Sequence, residues 1–218
     1  MTVSSPYPSH RDTLVREVHH RIKNHLQGLI GLVAEQARQR PECCDCLDYV
    51  ATQLRSVAIV HGLQSRQPNG DTRLCDMLDE MILAMQRSAS PSSRIELELQ
   101  LERGSIRVAE DEAVPIALIA NELLHNAAKH GGAEGDIRVT LAAAADGVII
   151  EITNTGQLPM DFDFAGERGL GTGLTLVRAL LPRRGASLAY SQSGNRAGCR
   201  LTLVPPVISL VSTGTMSS

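Results

Sequence analysis

Tryptophan is absent from this 218-residue chain, and aromatic residues make up only 2% of it. Leu, Ile, Val, Ala and Met must therefore fill its core. The same shortage argues against nucleic-acid readers that stack bases on aromatic rings. Lysine is nearly missing, with Lys23 and Lys129 the only two. Lys plus Arg (21) fall short of Asp plus Glu (24), for a net charge of −3. No basic surplus calls for DNA, RNA or an anionic membrane. No apolar run approaches the roughly 20 residues that span a bilayer, so membrane insertion is not expected. The start, MTVSSPYPSHRD, is polar and lacks an apolar leader. The five cysteines are an odd number, three of them close together as Cys43, Cys44 and Cys46. No second Cys/His pair at ligand spacing answers that cluster. Reduced thiols in a cytoplasmic protein are the expectation.

What is present is ordinary for a soluble globular chain: 43% hydrophobic and 21% charged residues. Residues 1–9 read as disordered. Over 12–38, Val15, Val18, Ile22, Leu26, Leu29 and Val33 recur at spacings of three and four, one helical stripe. Pro41 interrupts it. A second stripe, Leu47, Val50, Leu54, Val57 and Val60, runs until Pro68-Asn69-Gly70 breaks it. Two amphipathic helices with a short connector predict an antiparallel hairpin over 10–67. One hairpin buries little, so two are expected to pair as a homodimeric four-helix bundle.

The character then changes, with a domain boundary at 66–72. A helix is predicted over 74–85, a loop over 88–93, and a half-buried strand over 94–102, where Ile95, Leu97, Leu99 and Leu101 alternate. A long helix follows over 112–130. Strands are predicted over 137–141 and 148–152, joined around Asp146-Gly147. A loop over 154–168 leads to a helix over 174–181, and strands over 188–191 and 199–204 close the fold. Pro205-Pro206 is read as its end and 207–218 as a tail. The class is α+β: a helical hairpin, then an α/β sandwich over 72–206, a mixed sheet with helices on one face.

Four windows carry chemistry. In Glu17-Val18-His19-His20-Arg21-Ile22-Lys23-Asn24, helical spacing puts Glu17, His20 and Asn24 on one face. His20 lies about 200° around from Val18 and points away from the stripe. A neutral imidazole is a competent nucleophile. A carboxylate one turn away can orient its other nitrogen, and an Asn can position water or a phosphate oxygen. In Asn121-Glu122-Leu123-Leu124-His125-Asn126-Ala127-Ala128-Lys129-His130, Glu122 and Asn126 share a face of an otherwise apolar helix, with Lys129 a turn later. Mg²⁺ with nucleotide phosphates is one reason for such alignment. A solvated polar face is the other reading of both windows. Gly169-Leu170-Gly171-Thr172-Gly173-Leu174 leads into a helix, where spaced glycines and free amides suit phosphate. It fits neither the P-loop nor the dinucleotide fingerprint. Asn154-Thr155-Gly156 ends a strand, where a short polar side chain can meet an adenine edge or simply form a turn.

In this order and spacing the windows resemble a two-component sensor histidine kinase of the His-Arg-Xaa-Lys-Asn phosphoacceptor class, over roughly residues 10–206. The resemblance implies a gyrase/Hsp90/histidine kinase/MutL-type (Bergerat) ATP-binding domain. It implies His20 as phosphoacceptor, with Glu17, Asn24 and Glu122 assisting catalysis. It implies Asn126 as Mg²⁺ ligand, and Asn126, Lys129, Asn154, Gly156, Gly169, Gly171, Thr172, Gly173 and Leu174 around ATP. The family's Asp-Xaa-Gly-Xaa-Gly box reads differently here: Asn154 holds the Asp position and Leu158 that of the second Gly. An Asn oxygen still accepts the adenine amino group but without the charge, giving up part of a bond worth ~1.5–3 kcal/mol. The expected activity is transfer of the ATP γ-phosphoryl group to His20 and on to an aspartate of a response-regulator receiver domain. The stimulus is expected from a separate sensor protein, or the chain is a fragment of a longer one. Two alternatives keep the fold. One is a histidine phosphotransferase with a degenerate ATP domain. The other is a nucleotide-binding switch, or a serine kinase, which leaves His20 and its hairpin unexplained.

Overall fold

In a computed structural model, residues 10–67, 71–88, 95–101, 106–131 and 136–211 are described. The expectations for 1–9, for Pro68-Asn69-Gly70 and for the loop at 89–93 lie outside them. The chain forms two units, dividing between Thr72 and Arg73.

The first unit is the hairpin. α1 (His10–Gln39) and α2 (Cys44–Arg66) are joined through Arg40 and a 3₁₀ turn, Pro41–Cys43. Pro41 opens that turn, where a missing N–H costs nothing. The α1 stripe divides. Val15, Ile22, Leu26 and Val33 are half-buried, whereas Val18 (54%) and Leu29 (48%) are exposed, as are Leu14 (54%) and Leu32 (65%). The reason is geometric: apolar residues at both three and four spacing spread over an arc wider than one partner helix covers.

The second unit is built on a five-stranded sheet of order β2-β4-β5-β7-β6. The strands are β2 (Ile95–Gln100), β4 (Ile137–Ala144), β5 (Gly147–Thr155), β6 (Ala186–Ser193) and β7 (Arg196–Leu203). β2 runs parallel to β4 and the remaining pairs are antiparallel, which makes the sheet mixed. Alternation sends Val139, Leu141, Ile150, Ile152, Leu201 and Leu203 into the core, each at most 1% exposed. Three helices supply the rest of it: α3 (Leu74–Ser88), α4 (Ala113–His130) and α5 (Thr172–Leu180). Leu74, Met77, Leu78, Ile116, Ile119, Leu124 and Val177 are all buried. Each such side chain contributes about 1.5–3 kcal/mol.

Several expectations are corrected. Residues 207–218 are not wholly a tail. Pro205-Pro206 turns the chain rather than ending it, and β8 (Ile208–Leu210) pairs antiparallel with β3 (Ile106–Val108). Val207 (0%) and Ile208 (2%) are core residues. β1 (Thr72–Arg73) completes this sheet in the order β1-β3-β8. The β4–β5 turn is Ala145-Asp146, not Asp146-Gly147, because Ala144 pairs with Gly147. Gly147 is needed for a different reason. A Cβ there would stand 2.1 Å from the Leu203 carbonyl oxygen, so only glycine lets the strands approach. Asn154 and Thr155 belong to β5 rather than to the loop.

Candidate functional site

The phosphoacceptor candidate lies on α1. His20 is exposed, and the Asn24 amide nitrogen stands 3.5 Å from its Nδ1. The structure brings these two together but sends Glu17 elsewhere, since Arg21 Nε donates to Glu17 Oε1 at 2.7 Å. The Arg21 hydrogen bond and charge hold the Glu17 carboxyl below its usual range. A permanently charged guanidinium at i+4 outcompetes an imidazole at i+3 for the same carboxylate.

The neighbouring His19 turns the opposite way. It is 9% exposed, and its Nδ1 lies 2.9 Å from Nδ1 of His61 on α2. The ring centroids are 5.2 Å apart and the planes 28° from parallel. The centroid separation exceeds the nitrogen separation by about one ring width, so the two nitrogens meet head-on in nearly coplanar rings. Burial pushes the His61 imidazole below its ordinary value, as does His19, while Gln64 opposes the shift. One turn along, Lys23 lies along Gly62, its Cδ 3.4 Å from where a Cβ would stand.

The nucleotide candidates lie in the second unit. Glu122 is 2% exposed within α4. A Cβ on Gly173, in the first turn of α5, would stand 1.9 Å from Glu122 Oε2, so this helix start and this carboxylate share one space. One turn on, Asn126 is half-buried, and its Nδ2 has no hydrogen-bond partner among the described residues; nor does Nδ2 of Asn121. Lys129 is exposed in the last turn of α4. Asn154, 6% exposed, packs by the C-terminal end of α4, its Cβ 3.5 Å from where Gly131 would carry one. Its Nδ2 donates to the Thr155 carbonyl at 3.2 Å. Gly156 lies close by, where a Cβ would meet the His130 carbonyl oxygen at 2.6 Å. Its N–H donates to Asn195 O at 2.8 Å.

Gly169 has a φ of +70°, a conformation that favours glycine. Gly171 is the N-cap of α5, and nothing lies within 4 Å of a Cβ placed there. Thr172 opens the helix and is exposed, and Leu174 is half-buried. The 157–170 loop is tied down by residues that the sequence did not single out. Arg178 on α5 donates to the carbonyls of Phe164 (2.7 Å) and Ala165 (3.2 Å) and pairs with Glu167. Gln192 accepts from Leu158 N–H at 2.9 Å and donates to Gly156 O at 3.1 Å. Asp163 and Arg168 form an antiparallel bridge with a 3.0 Å ion pair. Contacts spanning up to 36 residues leave no local pattern by which they could have been found.

Two family models match the chain. Residues 17–89 match a family model described as "Histidine kinase". Residues 111–209 match one described as "Histidine kinase-, DNA gyrase B-, and HSP90-like ATPase". The sensor histidine kinase PdtaS of Mycobacterium tuberculosis is 28% identical over 180 residues, 78% of this chain and 35% of that protein. Blue-light-activated histidine kinase 2 of Erythrobacter litoralis is 23% identical over 84% of this chain and 54% of that one. The chain thus spans about a third to a half of these relatives. The histidine kinase domain of the Erythrobacter litoralis EL346 blue-light activated kinase superposes with a TM-score of 0.63 at 16% identity, covering 89% of this chain and 94% of that one. The catalytic domain of the kinase ThkA gives 0.53 at 16% identity, over 62% and 94%. These two likenesses are of fold. No described helix is long and apolar enough to cross a membrane.

Proposed function

The chain belongs to the histidine kinase family, with the family's ATPase-type domain, and on that premise we propose that it phosphorylates itself on His20 from ATP. The observation that carries this reading is Asn126 Nδ2: a buried amide nitrogen, without a hydrogen-bond partner among the described residues, one turn from the buried Glu122 carboxylate. A buried amide without a partner is costly and asks for a ligand.

These residues fit a nucleoside triphosphate with a divalent ion. Asn126 would hold Mg²⁺ through Oδ1, leaving Nδ2 to donate to a phosphate oxygen. The ion, when bound, neutralises charge on the phosphates. Gly171 leaves open space at the start of α5, where amides face outward and suit phosphate. Lys129 adds charge at the rim. Asn154, whose nitrogen faces the main chain, offers Oδ1 to the adenine amino group.

On the acceptor side, the Asn24 amide at Nδ1 of His20 leaves Nε2 as the outward nitrogen. Asn24 turned to present its Oδ1 would accept from Nδ1–H and so leave Nε2 its lone pair. Nε2 forms the bond to the γ-phosphorus as the bond to the β,γ-bridging oxygen breaks, and ADP leaves. The phosphoryl group then passes to an aspartate of a receiver domain. Two hairpins, covering Leu14, Val18, Leu29 and Leu32 in a four-helix bundle, form the homodimer in which this happens.

Incubation with γ-labelled ATP and Mg²⁺ tests the reading. Acid-labile, base-stable label that disappears in His20→Ala supports it. Label that persists in His20→Ala overturns it. One observation favours a second reading, a phosphotransferase without ATP chemistry: Asn154 replaces a carboxylate with a neutral amide. Failure to bind ATP, with His20 still exchanging phosphate with a phosphorylated receiver, would support that reading.

A further inference from the structure

Two successive histidines of α1 face opposite ways, and the buried one is bonded to the second helix. His20 is exposed, while His19 is 9% exposed and meets His61 Nδ1 to Nδ1 at 2.9 Å. The head-on, nearly coplanar rings have hydrogen-bond geometry: one Nδ1–H donates to the lone pair of the other Nδ1. The same geometry excludes a bridging metal ion, because two metal–nitrogen bonds of about 2 Å in line do not fit between these atoms.

We propose that His61 is a positioning residue for His20, acting through its hydrogen bond to His19; the inference rests on His20 being the phosphoacceptor. Adjacent residues on a helix are about 100° apart, so fixing the direction of His19 fixes that of His20. Apolar contacts alone set helix rotation loosely, since they are non-directional. An in-line bond between two rings is directional, and a buried imidazole that loses its partner is penalised. Lys23, one turn after His19, lies along Gly62, the residue after His61, so two successive turns of α1 meet neighbouring residues of α2. His61 touches neither ATP nor the transferred phosphoryl group in this scheme. It holds the helix that presents the nucleophile.

The test uses the full chain and two substitutions that separate bonding from packing. Asn at 61 places an oxygen close to where Nδ1 stands, and Leu fills the space without an acceptor. His61→Leu is expected to slow labelling of His20 from γ-labelled ATP by about ten- to a hundredfold, with the KM for ATP unchanged. His61→Asn is expected to restore most of the rate. Equal rates in wild type and His61→Leu, or rescue by Leu rather than Asn, would overturn the proposal. Imidazole ¹⁵N NMR supplies a readout independent of ATP. Coupling across the N–H···N bond should be seen in wild type and lost in His61→Leu, and its absence in wild type would also overturn the proposal. If wild type takes no label from ATP while the coupling is present, the kinase reading fails. Phosphoramidate labelling of His20 in the same variants then decides the positioning role.

Discussion

Gly173 and Glu122 compete for one space: a Cβ on the first would lie 1.9 Å from Oε2 of the second. Glu122 is buried, so its carboxylate cannot swing into solvent to make room. Gly173→Ala is therefore expected to displace the carboxylate and reduce His20 labelling by about tenfold to a hundredfold. Gly171, with open space around it, is the control. Gly171→Ala should melt at the wild-type temperature yet raise the KM for ATP, because only bound phosphates need that space. Steady-state labelling and thermal melting check both.

Asn126→Asp should abolish most labelling, by about 10²-fold or more. The substitution removes the Nδ2 donor and places a second charge one turn from Glu122. A variant that labels at the wild-type rate would remove Asn126 from the ATP site.

Hairpin stability should depend on pH through His61. Burial first, and then His19, hold its imidazole below the ordinary 6.5. Lys23 on α1 adds charge nearby, and Gln64 on α2 opposes the shift. Between the folded and unfolded values the unfolded chain binds more protons, so stability rises with pH there. It is fully present above about 6.5 and lost as pH falls through the folded value. Melting temperatures at about pH 7.5 and about pH 5.5 should differ, and His61→Asn should narrow the difference.

Arg178→Ala should loosen the 157–170 loop without unfolding the domain. The ion pair with the exposed Glu167 contributes little. The bonds to the Phe164 and Ala165 carbonyls contribute about 1 kcal/mol each. Limited proteolysis should cut at 159–168 faster in the variant, and added ATP should slow the cutting.

Leu32→Glu, at a side chain 65% exposed on α1, should convert a dimer to a monomer in light scattering while leaving the hairpin helical. A wild-type chain that is already monomeric would remove the bundle from the scheme.

Legibility followed range. The long helices and β2 were readable because their apolar residues repeat over many turns or alternations. β1, β3 and β8 have two or three residues each, too few to show a period. The histidine pair joins positions 42 apart, and nothing near His61 announces a partner. Glu17 was readable as a candidate but not in its choice of Arg21 over His20, which is a competition between charges. The glycines of 169–173 were legible as a group. Which of them faces a carboxylate and which faces open space depends on how α5 packs on α4.

The pairing of Ile208 with Val108 also orders the birth of the domain. A polypeptide emerges from the ribosome amino end first, so β3 is made about 100 residues before the strand that covers its edge. Throughout that interval Ile106 and Val108, both core residues in the finished fold, line an unpaired edge of the kind that recruits other chains. A chain released after Pro206 would keep that edge for life. It would carry every residue assigned to nucleotide and phosphate, and still be prone to aggregate.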